Sequence, residues 1–247
     1  MNERLILARG PSNRVHVTAP ELWNRAGGTD FWAVFGPEST VAAAGSSALL
    51  TDSGWTITSM VETAGTGADF IATADRTAPA HVLTDGGSDL VQSPAIFGDY
   101  MHAQVAAEIL GYQPTLLIAR FGFNFTVGTA NETATNIGFI EAGGSPITAA
   151  GADTLAAFFS DGTNFKIHSG ASASAAGPLV GAAWRVGQIT LSNSVAAGTA
   201  MVTSSIDGVA LPAIDLETDL FPVSFGMGIV AAGTNRIGLS YVHIWYA

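Results

Sequence analysis

In the run TLLIARFGFNFTV, residues 115–127, apolar and polar side chains alternate almost without a break. Leu117, Ala119, Phe121, Phe123, Phe125 and Val127 share one parity, while Arg120, Gly122, Asn124 and Thr126 share the other. Side chains of an extended chain point alternately to opposite faces, so this pattern predicts a strand with one face in a core and the other toward solvent or a groove. A helix of the same sequence would scatter the phenylalanines around its circumference.

Shorter runs of the same kind recur: WTITSMV (55–61), ADFIAT (68–73), AHVLT (80–84), NIGFIE (136–141) and TLAAFFS (154–160). Between them stand Asp85-Gly86-Gly87, Gly143-Gly144, Ser160-Asp161-Gly162-Thr163-Asn164, Asp207-Gly208 and Ala232-Gly233-Thr234-Asn235. Residues tolerant of positive φ between apolar runs are turn chemistry, and together with the strands they predict an antiparallel all-β domain. YMHAQVAAEIL (100–110) fits a helical stripe and a strand equally well, and its surroundings favour a strand. The small-residue stretch SGASASAAGPLVGAA (169–183) reads as a mobile loop. Residues 1–50 differ, with Gly-Pro and Ala-Pro pairs and only short apolar pieces, and they predict an extended N-terminal arm before a sandwich over 51–247.

Composition narrows the function. Hydrophobic residues are 48% of the 247 and charged residues only 12%, which leaves a small, neutral surface suited to packing among neighbours. A net charge of −11 argues against nucleic acid as partner, because phosphate neutralisation needs an excess of Lys and Arg. Arg4, Arg9, Arg14 and Arg25 are balanced by the acids of the first 50 residues, whereas the rest of the chain is strongly acidic. An arginine-bearing arm beside an acidic body suits docking on an acidic partner surface. Cysteine is absent, which removes disulfides and thiolate chemistry. No apolar run reaches the roughly 18 residues of a membrane span, and MNERLILARGPSNR lacks the apolar centre of a signal peptide, so neither a membrane partner nor that export route is expected.

Four motifs carry a family resemblance. They are Asn136-Ile137-Gly138-Phe139-Ile140, Phe158 through Phe165, Trp184–Leu191 leading into Met201–Gly208, and the closing Ile237-Gly238-Leu239-Ser240-Tyr241-Val242-His243-Ile244-Trp245-Tyr246. Over residues 51–247 the chain resembles the concanavalin A-like lectin/glucanase sandwich, in the form found in tailed-phage virion proteins. The resemblance implies a jelly-roll-like antiparallel sandwich, a virion location, and association with other virion proteins, the major capsid protein first among them. Ser240 stands where that pattern commonly has Asp.

Candidate chemistry is sparse. Asp215-Leu216-Glu217-Thr218-Asp219 places carboxylates at alternate positions, as a glycosidase strand does, but in D-x-E-x-D order rather than the E-x-D-x-E of glucanases of this fold. Pro212 and Pro222 flank it, which reads as an acidic connection rather than a central strand. His16, His81, His102, His168 and His243 are too dispersed for a local metal site, and no G-x-S-x-G occurs. No catalytic residue, metal or cofactor is expected. On the last strand, Val242 and Ile244 read as core, leaving Tyr241, His243 and Trp245 on the opposite face, where such a row suits sugar stacking or burial under a neighbour. The expectation is a non-enzymatic capsid decoration protein that self-associates and is anchored by its arm, with a lectin-like module for host surface glycans as the alternative.

Overall fold

The structure, a computed structural model, describes residues 30–34, 56–58, 81–84, 89–93, 111, 116–126, 135–141, 154–170, 172–181, 183–192, 201–216, 223–229 and 236–247. Their secondary structure is strand: β1 (Asp30–Val34), β2 (Thr56–Thr58), β3 (His81–Thr84), β4 (Asp89–Gln92), β5 (Leu116–Thr126), β6 (Thr135–Glu141) and β7 (Thr154–Ser160). There follow β8 (Phe165–Ser169), β9 (Ser172–Ala173), β10 (Arg185–Ser192), β11 (Met201–Ile206), β12 (Val209–Asp215), β13 (Val223–Ile229) and β14 (Arg236–Tyr246). The 100–110 segment lies outside the described residues.

Two antiparallel sheets form. One runs β1-β14-β5-β10-β11-β12, with β3 beside β1 along the same edge of β14. The other runs β2-β4-β13-β6-β7-β8-β9. Successive strands often change sheet: β3 and β4 do so across residues 85–88, and β13 and β14 across 230–235. The Gly-rich punctuation at those two places therefore marks crossovers between sheets and not hairpins. Residues 30–34, inside the segment expected as an arm, form β1 and pair with Tyr241–Trp245 of β14.

The core lies between the sheets and is built on phenylalanine. From β5, Phe121 packs edge-on against Phe225 of β13 at 4.9 Å between centroids, and Phe123 stacks on Phe158 of β7 at 5.9 Å and meets Phe165 of β8 edge-on at 5.6 Å. Each such pair contributes about 0.5–1.5 kcal/mol beyond the area it buries. Leu117, Ala119, Phe121 and Phe123 are all fully buried and Arg120 is exposed, as alternation predicts. Room for the two rings comes from Gly187 on β10, opposite Phe121: a Cβ there would lie 2.9 Å from atoms of both. In the other sheet Gly138 lets β6 and β7 approach, since a Cβ would sit 2.7 Å from the Ala157 Cα.

Two turns follow the sequence closely. Asp207 (φ 52°) and Gly208 (φ 80°) make the two-residue link between Ile206 and Val209, the left-handed pair that matches the twist of a hairpin. Between β7 and β8, Asp161 Oδ1 accepts from the Thr163 and Asn164 amides at 3.1 and 2.8 Å, while Oδ2 pairs with Lys166 Nζ at 2.8 Å.

Two expectations need correction. Residues 169–183, read as a mobile loop, are tied to β8: Ser172–Ala173 pair with it as β9, the Ser174 and Gly177 amides donate to the Ile167 and Phe165 carbonyls, and the Phe165 amide donates to Pro178. Small side chains permit the approach; a Cβ on Gly177 would lie 2.8 Å from Leu211 Cγ. Pro212, read as part of a connection, lies within β12. That strand is the sheet edge, where a residue without an amide hydrogen costs no ladder bond.

The β7–β8 turn yields a pH prediction. The Lys166 hydrogen bond, with the Asn164 and Thr163 amides, lowers the Asp161 carboxyl from 3.8 to about 2. A carboxyl depressed on folding adds stability that is complete above about pH 4 and is lost as pH falls through about 2. Asp161→Asn keeps the turn acceptor and removes the charge. Urea midpoints of the variant should lie below those of the parent at pH 5, and the gap should close between pH 4 and pH 2.

Candidate functional site

The outward face of the sheet containing β14 carries the aromatic row that the sequence singled out, Tyr241, His243 and Trp245. Its aromatic row depends on a register shift. Leu239 pairs with Phe123 and Tyr241 with Gly122, so Ser240 is the extra residue of a β-bulge. Its Oγ donates to the Gly122 carbonyl at 3.2 Å. The bulge changes phase, so Leu239 below it and Val242, Ile244 and Tyr246 above it all turn into the core. Tyr241, His243 and Trp245 consequently face outward and are half-buried. The Ser240 hydroxyl thus holds the bulge.

The three rings are not a flat row. His243 and Trp245 stack on each other, with centroids 4.3 Å apart and planes 22° off parallel, so they offer outer faces and edges. Tyr241 lies across the neighbouring strand: a Cβ on Gly122 would come within 2.7 Å of its Cε1 and 3.0 Å of its Cδ1. A fourth ring, missed in the sequence, does the same. Trp184, just before β10, reaches past Asn124 so that a Cβ on Gly238 would lie 2.9 Å from its Cη2. Two glycines on the outward face are thus notches that receive aromatic rings, the arrangement in which a cross-strand ring covers backbone that glycine leaves bare. Trp184 Nε1 is buried and has no hydrogen-bond partner among the described residues. The signal that could have revealed Trp184 was the outward parity of Gly122 and Gly238, since isolated strand glycines mark close approach.

Polar groups continue the face. Arg120, exposed, stands opposite His243 on β14 and opposite Gln188 on β10, and Gln188 stands opposite Ser205 on β11. One register step along, Trp245, Ile118, Thr190 and Thr203 form the next row. At the hairpin end, Asp207 Oδ2 accepts from Arg185 Nη1 and Oδ1 from the Val186 amide, both at 2.8 Å. Burial raises this carboxyl, but the bonds from Arg185 and Val186 outweigh it and hold Asp207 below the ordinary value. It is a charged latch between β10 and the hairpin.

Other sequence candidates fall elsewhere. Asp215 is exposed at the end of β12, and Glu217 and Asp219 lie outside the described residues, as do Arg4, Arg9, Arg14, Arg25 and His102. His168 belongs to the other sheet, where its Nε2 donates to Asn136 Oδ1 at 2.8 Å and its ring meets Phe159 edge-on at 5.1 Å. Burial lowers its pKa, and the Gly170 carbonyl opposes this only in part, so the ring is neutral and structural. Among the described residues no group of three or more His, Cys, Asp or Glu is placed to hold a metal.

The ring-on-glycine geometry is testable by a double-mutant cycle. Gly238→Ala should cost about 1–3 kcal/mol, because the new methyl meets the Trp184 ring. In a Trp184→Ala background the same change should be neutral or stabilising, since alanine is otherwise the better strand residue. Urea unfolding of the four proteins measures the coupling.

No family model matches the chain, and no curated protein matches it. Among solved structures it is similar to a carbohydrate esterase from the Shiga toxin-encoding bacteriophage phi24B, with a TM-score of 0.53 and 14% identity over 87% of this chain and 99% of that one. An endo-beta-1,4-glucuronan lyase from the fungus Trichoderma reesei aligns with a TM-score of 0.47 and 9% identity over 88% of this chain and 95% of the lyase. Peanut lectin aligns with 0.43 and 12% identity over 68% of this chain and 85% of the lectin. At such identities the likeness to the phage protein concerns the fold, and the fold is the concanavalin A-like sandwich that the sequence motifs resemble.

Proposed function

We propose that this chain is a non-enzymatic, lectin-like carbohydrate-binding protein of a tailed-phage particle, taking a glycan on the outward face of the sheet that contains β14. The observation that carries this reading is the set of four rings on that face: Tyr241 laid over Gly122, Trp184 laid over Gly238, and the His243–Trp245 stack. A ring seated in a glycine notch leaves apolar surface for the C–H side of a pyranose, and the Tyr241 hydroxyl and the Trp245 ring edge add hydrogen-bonding groups. Gln188, Thr190, Thr203 and Ser205 add neutral groups suited to sugar hydroxyls. Catalysis is no part of the reading. Of the carboxylates near this face whose side chains are described, Asp207 is committed to Arg185 and Val186, and Asp215 stands at the far edge of the sheet.

The virion setting is supported by the phage source of the esterase that shares the fold. It also supports a second reading, a capsid decoration protein that self-associates and docks on the major capsid protein through Arg4, Arg9, Arg14 and Arg25. The neutral surface, with 12% charged residues, suits that role.

A glycan array followed by titration calorimetry separates the two. The lectin-like reading predicts saturable binding that weakens about tenfold or more in Tyr241→Ala and in Trp245→Ala, since a lost stacking contact of about 1.4 kcal/mol is tenfold. Absence of glycan binding, combined with loss of particle association when the first 29 residues are deleted, would instead establish the decoration role.

A further inference from the structure

Resting on the glycan-binding reading, we infer that the ligand is an acidic saccharide whose sugar carboxylate is held by Arg120. Arg120 is exposed at the middle of the outward face, flanked in register by His243 and Gln188. Its own-strand neighbour on that face is Gly122, the residue under the Tyr241 ring. The two positions are two residues apart on β5, roughly 7 Å at 3.3–3.4 Å per residue. That spacing lets a pyranose rest on Tyr241 while a carboxylate on the same ring reaches the guanidinium.

The charge environment points the same way. The chain holds 20 acidic residues against 9 basic ones, so a cation on its surface ordinarily finds a carboxylate. Lys166 pairs with Asp161 and Arg185 with Asp207, each at 2.8 Å. Among the described residues Arg120 makes no ion pair or hydrogen bond, and its cross-strand neighbours are an imidazole and an amide. Of all side chains, guanidinium best matches a carboxylate, through two parallel N–H···O bonds in one plane. An unneutralised fork beside an aromatic ledge, among neutral hydrogen-bonding groups, is built to select one negative charge on an otherwise neutral sugar surface. A polyanion such as nucleic acid does not fit a chain of net charge −11.

The test uses the full chain with three probes of matched length: an oligogalacturonate, its methyl ester, which keeps the ring and removes the charge, and a sulfated neutral oligosaccharide. Calorimetry should give binding of the uronate about 10- to 100-fold tighter than of the ester, the range expected for a hydrogen bond to a charged group. Arg120→Gln should bring the uronate-to-ester affinity ratio down to about one, and Arg120→Lys should restore only part of the preference. Equal binding of uronate and ester, or a preference insensitive to Arg120→Gln, overturns the assignment while leaving glycan binding intact. Binding confined to the sulfated probe overturns the carboxylate as the recognised group. Binding of none of these probes nor of any array glycan overturns this inference and the glycan-binding reading together.

Discussion

Interdigitation of Phe121 and Phe123 from one sheet with Phe158, Phe165 and Phe225 from the other is the contact on which the rest of the structure depends. Loss of one buried phenylalanine ring costs about 3–5 kcal/mol, against a total stability of about 5–15 kcal/mol for a typical domain. The cluster therefore fixes which parity of β5 faces inward. A register slip of one residue would drive Arg120 and Asn124 into the core and the phenylalanines into water, so no alternative pairing competes. Once the inward parity is set, the outward positions of Arg120 and Gly122 follow from the pleat alone.

Glycine then shapes both faces of the same sheet. Gly187 clears space for the inward rings of Phe121 and Phe123, and Gly122 and Gly238 clear space for the outward rings of Tyr241 and Trp184. Ser240 supplies the remaining step: its bulge lets β14 present Leu239 and Val242 to one core while turning Tyr241, His243 and Trp245 outward. The candidate binding face is thus a consequence of core packing carried through three strands, and not a loop feature added to the sandwich. Rings seated on strand backbone are held more firmly than rings on loops, which suits a surface that must meet a ligand without reordering.

Much of this was legible in the chain, and the boundary has a physical cause. Period-two alternation is local, so the faces of β5 and the inward Val242 and Ile244 could be read directly from neighbouring residues. The Asp207-Gly208 hairpin was equally readable, because positive φ restricts residue choice at the turn itself. Strand partners are not local. Nothing in residues 30–34 announces pairing with β14, and nothing in the small-residue stretch 172–180 announces the bonds to β8. Trp184 is separated by more than fifty residues from the glycine it covers. Arg120 was visible as outward-facing, but its imidazole and amide neighbours emerged only when the adjoining strands were in place.

A single outward face, with aromatic ledges around the exposed Arg120 guanidinium, is the surface assigned to ligand recognition. Amide chemical-shift mapping of the isotopically labelled chain during titration with an acidic oligosaccharide examines that assignment residue by residue. The predicted result is a contiguous set of saturable shifts over Ile118–Gly122, Trp184–Gln188 and Tyr241–Trp245, with the β6–β8 strands unaffected. Shifts centred on the opposite sheet, or none at saturating oligosaccharide, would contradict it.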